Sequence, residues 1–392
     1  MIFDDIRELE ERFQLATYKK MPIAVERGEG CEIWDAFGRR YLDLYGGHAV
    51  CATGHSHPSI VKAISEQASR LMFYSNIVYS SARGRAAAKL LEVAPDSSSQ
   101  VFFCNSGTEA NENAMRMARM ATGREKIVSF TGGFHGRTAD SISATFLGNY
   151  RELGRPNVPA HDVAEFGNTR SLDDAIDKET AGVIVEPIQS MAGVREAAPG
   201  FFKALRRKCD SVGAALIFDE VQTGVGRTGF WFFSGSNFAG GVTADIITLA
   251  KSLGSGVPVG ACIVNDKIAG QIRENDLGTT FGGGMIAMAA VYATLCAIEA
   301  DAMLESAAAA EEHLRRNLAG LRGVKSIRGR GCLLGIELEQ ASAPIFLNLL
   351  DRGVITGTSS DPNVLRLLPP LIVSKQELDE FIGKLDETLS LH

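Results

Sequence analysis

Short apolar runs alternate with helical stretches through the middle of the chain. Six of these runs are almost entirely apolar, at residues 101–104, 127–130, 182–185, 215–218, 246–249 and 261–264. Runs that are apolar on both faces and separated by helices are typical of a parallel sheet covered by helices on both sides. The pattern predicts an α/β domain built on a mostly parallel sheet.

The N-terminal flank follows another pattern. Frequent glycines interrupt residues 1–58 and leave short strands at 32–35 and 40–44. Apolar residues recur at helical spacing from Ser59 onward. We therefore predict an irregular segment followed by a helix that opens the main domain.

The C-terminal flank also differs from the middle of the chain. An alanine-rich helix is predicted over 286–321, and alternating strands follow at 334–338 and 364–368. The capping box Ser374-x-x-Glu377 predicts the start of the last helix.

These patterns predict two domains, as expected for a chain of 392 residues. Residues 59–290 are predicted to form the large α/β domain. Residues 291–392 are predicted to form a small α+β domain.

Composition and charge narrow the class of function. Hydrophobic residues make up 45% of the chain and charged residues 22%, as in ordinary globular proteins. The net charge is −7 and the basic residues are scattered singly, which argues against a nucleic-acid surface. The expected partner is a small molecule.

Cysteine usage and hydropathy indicate the compartment. The seven cysteines lie far apart without a C-x-x-C pair, which favours a reducing environment and argues against zinc. No apolar run approaches the roughly 18 residues of a membrane span, and the acidic start lacks the apolar core of a signal peptide. We expect a cytoplasmic protein that does not bind membranes.

Polar residues directly after the apolar runs are the first candidates for chemistry, because ligands bind beyond the carboxyl ends of such strands. Ser106, Gly107 and Thr108 follow one run, and Ser106-x-x-Glu109 has the form of a capping box. A helix start of this kind either binds a phosphate through free N–H groups or is an ordinary capped helix. Asp219 follows another run and either pairs with a cofactor ring N–H or caps a loop.

Two cations stand in similar settings. Lys251 follows the run 246–249, where a desolvated amine could attack a carbonyl, although most lysines simply reach solvent. Arg366 lies among apolar residues in 364–368 and therefore needs an anionic partner. That partner is either a substrate carboxylate or an internal acidic side chain.

Two motifs are set aside. Gly224-x-Gly226-x-x-Gly229 spells a dinucleotide fingerprint, but no helix is predicted after it to receive a pyrophosphate. His55-x-His57 resembles a metal pair, but Pro58 follows and no third ligand is spaced nearby, so a turn is favoured.

The motifs converge on one family. In chain order they are Ser-Gly-Thr-Glu-Ala-Asn at 106–111, Phe-His-Gly-Arg-Thr at 134–138, Glu-Pro-Ile-Gln at 186–189, Asp-Glu-Val-Gln-Thr-Gly-x-Gly-Arg-Thr-Gly at 219–229, Leu-Ala-Lys at 249–251 and Thr-Phe-Gly-Gly at 280–283. With these motifs the chain resembles the class III aminotransferases that depend on pyridoxal 5′-phosphate (PLP). The similarity runs essentially from residue 27 to residue 370.

The resemblance implies a fold and an assembly. It implies the fold type I architecture, a large domain with a mostly parallel sheet plus a small α+β domain to which residues 1–58 contribute. It also implies a homodimer that shares its active sites.

The resemblance also implies a role for each matched residue toward the cofactor. Lys251 would bind PLP covalently and carry the proton, Asp219 would pair with the pyridine nitrogen, and Gln222 would contact the phenolic oxygen. The phosphate would be bound by Ser106, Gly107 and Thr108 and, from the neighbouring subunit, by Thr280. The ring would lie between Phe134 and Val221.

Three further residues would bind the substrates. Arg137 and Arg366 match two arginines that bind substrate carboxylates, and Glu186 matches a glutamate that pairs with the second arginine when no carboxylate is present. Two departures from the usual family sequence, residues 190–193 and Gly284, are expected to border this pocket.

The expected activity is transfer of the terminal amine of N-acetylornithine, or a close N-acylornithine, to 2-oxoglutarate, in arginine biosynthesis. The products are glutamate and a semialdehyde. Alternatives from the same scaffold are an ornithine, 4-aminobutyrate or N-acyl-lysine-type aminotransferase, and an aminomutase or racemase that needs no 2-oxoglutarate. A non-catalytic PLP-binding regulator is disfavoured because no DNA-binding segment accompanies the motifs.

Overall fold

A computed structural model describes residues 3–391, and a seven-stranded central sheet lies at its centre. The strands in sheet order are Gln100–Cys104, Gly260–Val264, Ile246–Leu249, Ala215–Asp219, Thr180–Val185, Lys126–Phe130 and His161–Ala164. Only Gly260–Val264 runs antiparallel to its neighbours. The six predicted strands are confirmed, and the sheet is mostly parallel as expected.

Helices surround this sheet and link the strands. Their bounds are Phe3–Phe13, Gly46–Ala49, Pro58–Arg70, Ser81–Glu92, Gly107–Thr122, Ala139–Ser143, Tyr150–Leu153, Ser171–Ala175, Pro199–Val212, Asp266–Ala269, Met285–Ala300, Met303–Leu318, Ser342–Asp351 and Lys375–Ser390, with a 3₁₀ turn at Lys251–Gly254. The last helix begins with the predicted capping box, in which the side chains of Ser374 and Glu377 each accept a backbone N–H.

Two four-stranded sheets and a short ribbon lie outside the central sheet. The first contains Val25–Glu29, Glu32–Asp35, Arg40–Asp43 and Val354–Ile355; the second contains Val324–Arg330, Leu333–Leu338, Val364–Leu367 and Gly357–Thr358; the ribbon pairs Ile188–Gln189 with Arg195–Glu196. The N-terminal strands thus share a sheet with a strand from near the C-terminus. Domain boundaries at 58 and 290 stay a prediction.

The helix Gly107–Thr122 packs closely on the central sheet. Its buried residues include Ala110, Ala114 and Ala118. A side chain at Gly182 of the sheet would come within 2.8 Å of Ala118, so small residues on both surfaces permit the contact. This packing fixes the start of the helix at the edge of the sheet.

Two helical predictions need correction. The single helix expected over 286–321 is two helices, Met285–Ala300 and Met303–Leu318, bent by 62°. The first helix ends because Ala302 adopts a left-handed φ of 49°, which no helical pattern in the sequence signals. The N-terminal segment, expected to be irregular, begins with the helix Phe3–Phe13, which buries none of its residues.

No single helix within residues 3–391 is long and apolar enough to cross a membrane. The bent pair Met285–Ala300 and Met303–Leu318 meets the criteria of length and composition only when the two helices are joined.

Candidate active site

A cavity of about 510 Å³ opens at the carboxyl end of the central sheet. Three neighbouring strands, Thr180–Val185, Ala215–Asp219 and Ile246–Leu249, carry candidate groups to its floor. The predicted site residues that line it are Ser106, Gly107, Thr108, Phe134, Arg137, Glu186, Asp219, Val221, Gln222 and Lys251. Arg366 and Thr280 do not line it.

The carboxylate of Asp219 is held by several hydrogen bonds. Its Oδ2 accepts the Asn111 amide at 2.7 Å and contacts His135 Nδ1 at 2.7 Å, while Oδ1 accepts the Val221 N–H at 3.1 Å. Asn111 is held in turn, because its Oδ1 accepts the Thr248 hydroxyl at 2.6 Å. Asp219 is 3% exposed, so this arrangement positions a buried carboxylate that could hold a protonated ring nitrogen.

The amine of Lys251 lies beside these groups. Burial lowers the pKa of Lys251 to about 8, although the nearby carboxylates Asp219 and Glu186 act in the opposite direction. Its Nζ donates to Gln222 Oε1. Lys251 also has a left-handed φ of 39°, an uncommon conformation for a residue with a side chain and one that is frequent at functional sites.

A helix N-terminus faces the same cavity. Ser106 precedes Gly107–Thr122 and its side chain accepts the Glu109 N–H at 3.2 Å. The expected reciprocal half of this capping box is absent, because the Glu109 carboxylate accepts the Asn105 N–H instead. The N–H groups of Gly107 and Thr108 have no acceptor within residues 3–391. Free N–H groups at a helix start bind phosphate well.

The side walls of the cavity are apolar. Val221 lies so close to Gly107 that a Cβ on the glycine would come within 2.9 Å of it. Phe134 packs edge-on against Tyr150 with ring centroids 5.4 Å apart. Both side chains line the cavity and offer apolar surface to a flat ring.

The residues present fit PLP, since its phosphate, its ring nitrogen and its aldehyde each have a matching partner. The free N–H groups of the helix start match a dianionic phosphate, Asp219 matches a protonated pyridine nitrogen, and Lys251 matches an aldehyde. Phe134 and Val221 would provide apolar contacts for the ring.

Glu186 does not pair with Arg366 as the resemblance implied. Its Oε1 accepts the Phe134 N–H at 2.7 Å, and no carboxylate within residues 3–391 lies within 4.0 Å of the Arg366 guanidinium. Burial raises the pKa of Glu186 to about 7 and disfavours its charged form, and the neighbouring Asp219 acts in the same direction. Glu186 therefore belongs to the floor of the cavity in this structure.

Arg366 lies behind the cavity wall and is 2% exposed. Its guanidinium donates to three neutral oxygens: Thr358 O at 2.7 Å, Ser190 Oγ at 3.1 Å and the Tyr45 hydroxyl at 3.0 Å. Ser190 and Met191 line the cavity, so the unusual segment 190–193 does border the pocket.

Arg137 has the opposite setting. It is exposed at the cavity mouth and donates to the Tyr150 hydroxyl at 3.2 Å. Its guanidinium lies over the rings of Tyr150 and Tyr18, 5.0 Å and 5.5 Å from their centroids. It has no acidic partner within residues 3–391 and is free to bind an anion.

Thr280 lies on an exposed loop and does not reach the cavity of its own chain. The neighbouring Thr279 contacts the Asn105 side chain, directly before Ser106, at 3.2 Å. The loop contacts the segment 72–79, because the Asn76 side chain donates to Thr279 O and the Phe73 ring packs against Phe281. Exposed apolar residues of the segment and the loop are Met72, Tyr74, Ile77, Tyr79 and Phe281.

Several residues of the site were not singled out from the sequence. Asn111 was identifiable as a polar residue next to the alanine face of its helix, and His135 lies inside the quoted 134–138 motif. His48 lies in the short helix Gly46–Ala49, whose four residues all have positive φ, and Tyr45 directly precedes it. Burial lowers the pKa of His48 to about 3, with the cations Lys251 and Arg366 acting in the same direction.

Comparison with known proteins extends over nearly the whole chain. Residues 13–389 match the family model for class III aminotransferases. An acetylornithine aminotransferase of Methanopyrus kandleri is 41% identical and covers 98% of this chain and 99% of its own. A LysW-aminoadipate semialdehyde transaminase of Deinococcus radiodurans is 36% identical, covering 97% of this chain and 89% of its own.

Solved structures give the same result. The crystal structure of ornithine aminotransferase from Toxoplasma gondii superposes with a TM-score of 0.92 at 26% identity, covering 100% of this chain and 96% of that one. The Lys251 and Asp219 geometry and these matches have one interpretation: the chain belongs to the class III aminotransferases, which are PLP-dependent transaminases.

Proposed function

We propose that this enzyme transfers the terminal amine of N-acetylornithine, or a close N-acylornithine, to 2-oxoglutarate. The observation that carries the substrate class is the 41% identity over nearly the full length to an acetylornithine aminotransferase. The products are glutamate and the corresponding semialdehyde. This reaction would serve arginine biosynthesis.

The chain's own residues divide the chemistry between them. PLP, when bound, supplies an electron sink for the negative charge left on the substrate carbon. Lys251 Nζ would accept the proton from that carbon and pass it to the C4′ atom of the cofactor, and its lowered pKa suits both steps near neutral pH. Asp219 holds the ring nitrogen in its protonated form, because its own position is fixed by Asn111 and His135.

Arg137 and Arg366 give the cavity its two carboxylate-binding ends. Arg137 is exposed at the mouth, whereas Arg366 lies behind the wall that contains Ser190. We propose that Arg137 binds the α-carboxylate of the N-acylated donor. Arg366 binds one of the two carboxylates of glutamate or 2-oxoglutarate.

Other donors remain as second candidates on specific grounds. The Deinococcus radiodurans relative is named for an aminoadipate semialdehyde, which is one methylene longer, and the Toxoplasma gondii structure is named for ornithine. Transfer of an amine from an N-acyl-lysine-type donor or from ornithine would need the same two ends.

A donor panel separates these candidates. The PLP-loaded enzyme would be mixed with N-acetylornithine, ornithine, N-acetyllysine or 4-aminobutyrate, and the loss of its visible absorbance band followed in single turnovers. We expect N-acetylornithine to react most efficiently and 2-oxoglutarate to restore the band with release of glutamate. A tenfold preference for another donor would contradict the substrate assignment while leaving the aminotransferase assignment intact.

We also propose a homodimer with shared active sites. Thr280 does not line its own cavity, and its loop contacts a segment with exposed apolar residues. With Phe281 of the loop, these residues are Met72, Tyr74, Ile77 and Tyr79. Exposed apolar surface of this kind supports a protein interface, and Thr280 would then contact the phosphate in the partner.

Sedimentation of wild type and Ile77→Asp tests the dimer. We expect wild type to sediment as a dimer and the variant to dissociate and lose cofactor. A fully active monomeric wild type would contradict the proposal.

All seven cysteines are unpaired, which supports a reducing, cytoplasmic setting.

A further inference from the structure

Each of the three guanidinium nitrogens of Arg366 has an acceptor, and none of these acceptors is acidic. Nη1 donates to the Ser190 hydroxyl at 3.1 Å, Nη2 to the Tyr45 hydroxyl at 3.0 Å, and Nε to Thr358 O at 2.7 Å. A guanidinium only donates, so all three oxygens act as acceptors. A buried charge thus rests on two hydroxyls and a carbonyl.

Tyr45 is fitted closely into this position. Gly357 is paired with Arg366 in the second outer sheet, and a Cβ at Gly357 would lie 2.1 Å from the Tyr45 ring. The absence of a side chain at Gly357 therefore makes room for the tyrosine. The Tyr45 oxygen also contacts His48 Nδ1. Because Tyr45 accepts from Arg366, its own hydroxyl hydrogen is available to donate to this nitrogen.

Ser190 connects Arg366 to the cofactor end. It is 1% exposed, and its Oγ accepts from Gln222 Nε2 at 3.4 Å as well as from Arg366. Gln222 Oε1 accepts from Lys251 Nζ. Ser190 also lines the cavity, so it stands between an incoming substrate and the guanidinium.

We propose that the hydroxyls of Tyr45 and Ser190 determine which substrate Arg366 binds. They occupy its Nη groups while the ω-amine donor is bound, and they give way to a carboxylate when glutamate or 2-oxoglutarate enters. This inference rests on the proposed function, which requires the site to accept both kinds of substrate in turn.

The physical reason is a difference in hydrogen-bond strength. Bonds from a guanidinium to a carboxylate are charge-assisted at both partners and frequently bidentate, and they are stronger than bonds to a neutral hydroxyl. An incoming carboxylate can therefore displace two hydroxyls. The hydroxyls still satisfy Arg366 in the other half of the cycle, when a buried and unpaired guanidinium would be costly.

Two conservative variants test the proposal in the PLP-loaded enzyme. Tyr45→Phe and Ser190→Ala each remove one resting partner and leave Arg366 in place. We expect the KM for glutamate to fall about fivefold in each variant, since one hydrogen bond no longer competes with the carboxylate. The KM for the ω-amine donor should stay within about twofold, because free enzyme and donor complex lose the same bond.

A binding measurement separates recognition from chemistry. Glutarate carries two carboxylates but no amine, so its Kd can be measured by calorimetry without turnover. We expect that Kd to fall by the same factor as the KM for glutamate. A merely structural role for the hydroxyls would weaken binding of both substrates.

Two controls define the outcomes. Tyr41→Phe removes a tyrosine hydroxyl bonded to Asp35 at 3.1 Å in the same N-terminal region, and it should change neither constant. Glu186→Gln tests the rival partner. The proposal is overturned if Tyr45→Phe and Ser190→Ala leave the Kd for glutarate unchanged or raise it, and a lower Kd in Glu186→Gln would then assign the role to Glu186.

Failure of the proposed function gives a different result. If wild type prefers another ω-amine, that donor is used in place of N-acetylornithine in the KM measurements. The measurements with glutamate and glutarate then keep the same interpretation. If wild type neither reacts with glutamate nor binds glutarate, the amino acceptor is wrong and the hydroxyl proposal falls with it.

Discussion

The two ends of the cavity are held in place in different ways. At the cofactor end, Asn111 and His135 fix Asp219 through buried hydrogen bonds of 2.7 Å each. At the substrate end, Arg366 rests on neutral oxygens, and Arg137 lies exposed over aromatic rings. We call the first the fixed end, because strong buried contacts hold Asp219. We call the second the exchangeable end, because the partners of Arg137 and Arg366 can be exchanged for a substrate.

This difference shows which features of the molecule can change independently. Buried hydrogen bonds are costly to leave unmade, so the cofactor end tolerates little alteration. The substrate end is built from loops and outer sheets, whose contacts can be replaced one at a time. We therefore expect changes at the central sheet to affect the reaction itself and changes around the arginines to affect the choice of substrate.

The largest effect is expected from Lys251→Ala, which removes the proton carrier of the fixed end. Turnover should fall by at least about 10⁴-fold, at the upper limit for general acid–base catalysis, because covalent attachment is lost as well. Steady-state rates and borohydride trapping of PLP measure both. Lys267→Ala, an exposed lysine of the same domain, is the matched control and should behave as wild type.

Asn111→Ala tests whether the fixed end depends on its supporting residues. The variant removes one hydrogen bond of Asp219, which keeps its contact with His135, and leaves the buried Thr248 hydroxyl without its acceptor, at a cost of about 1–3 kcal/mol. We expect PLP affinity to fall tenfold to a hundredfold, roughly the equivalent of that loss. Equilibrium dialysis measures it. Asn113→Ala, which loses only a bond to the Glu109 carbonyl, should retain cofactor; equal losses in both would point to helix stability.

A smaller effect is expected at the exchangeable end from Arg137→Gln. Loss of one charge-assisted contact should raise the KM for N-acetylornithine about tenfold, with cofactor absorbance unchanged. Steady-state kinetics measure the KM for N-acetylornithine and the KM for 2-oxoglutarate separately. Arg155→Gln, a surface arginine paired only with Glu152, serves as the control. An unchanged KM in Arg137→Gln would remove Arg137 from substrate binding.

The smallest effect is a shift along the pH axis. Lys251 must be neutral to attack PLP, so capture by the apoenzyme should increase through a midpoint near pH 8, the lowered pKa of this amine. Asp219→Asn removes a nearby negative charge that raises this pKa, so its midpoint should lie lower still. Rates of absorbance change after mixing with PLP give both midpoints. A wild-type midpoint above pH 10 would show that Lys251 is not desolvated.

The sequence predicted the fixed end well for a physical reason. Parallel strands end at the same edge of a sheet, so residues directly after them must meet, and Asp219 and Lys251 do line one cavity. Asn111 was overlooked because its partners, Asp219 and Thr248, come from strands more than a hundred residues further along the chain.

The exchangeable end could not be predicted in the same way. Its geometry depends on Tyr45 meeting Arg366 and on Ser190 meeting Gln222, contacts between distant segments with no periodic signal. The expected Glu186 pairing failed for the same reason, since hydroxyls from elsewhere in the chain had already satisfied the guanidinium.

The shared outer sheet has a consequence for the order in which the protein is made. Its strand Arg40–Asp43 is synthesised early but pairs with Val354–Ile355, which leaves the ribosome some three hundred residues later. All strands of the central sheet lie between residues 100 and 264 and are complete well before that. The nascent chain can therefore assemble the groups that hold the cofactor while Tyr45 still has no Gly357 to pack against. The part of the substrate site around Arg366 is thus completed only after the cofactor-binding residues have been synthesised.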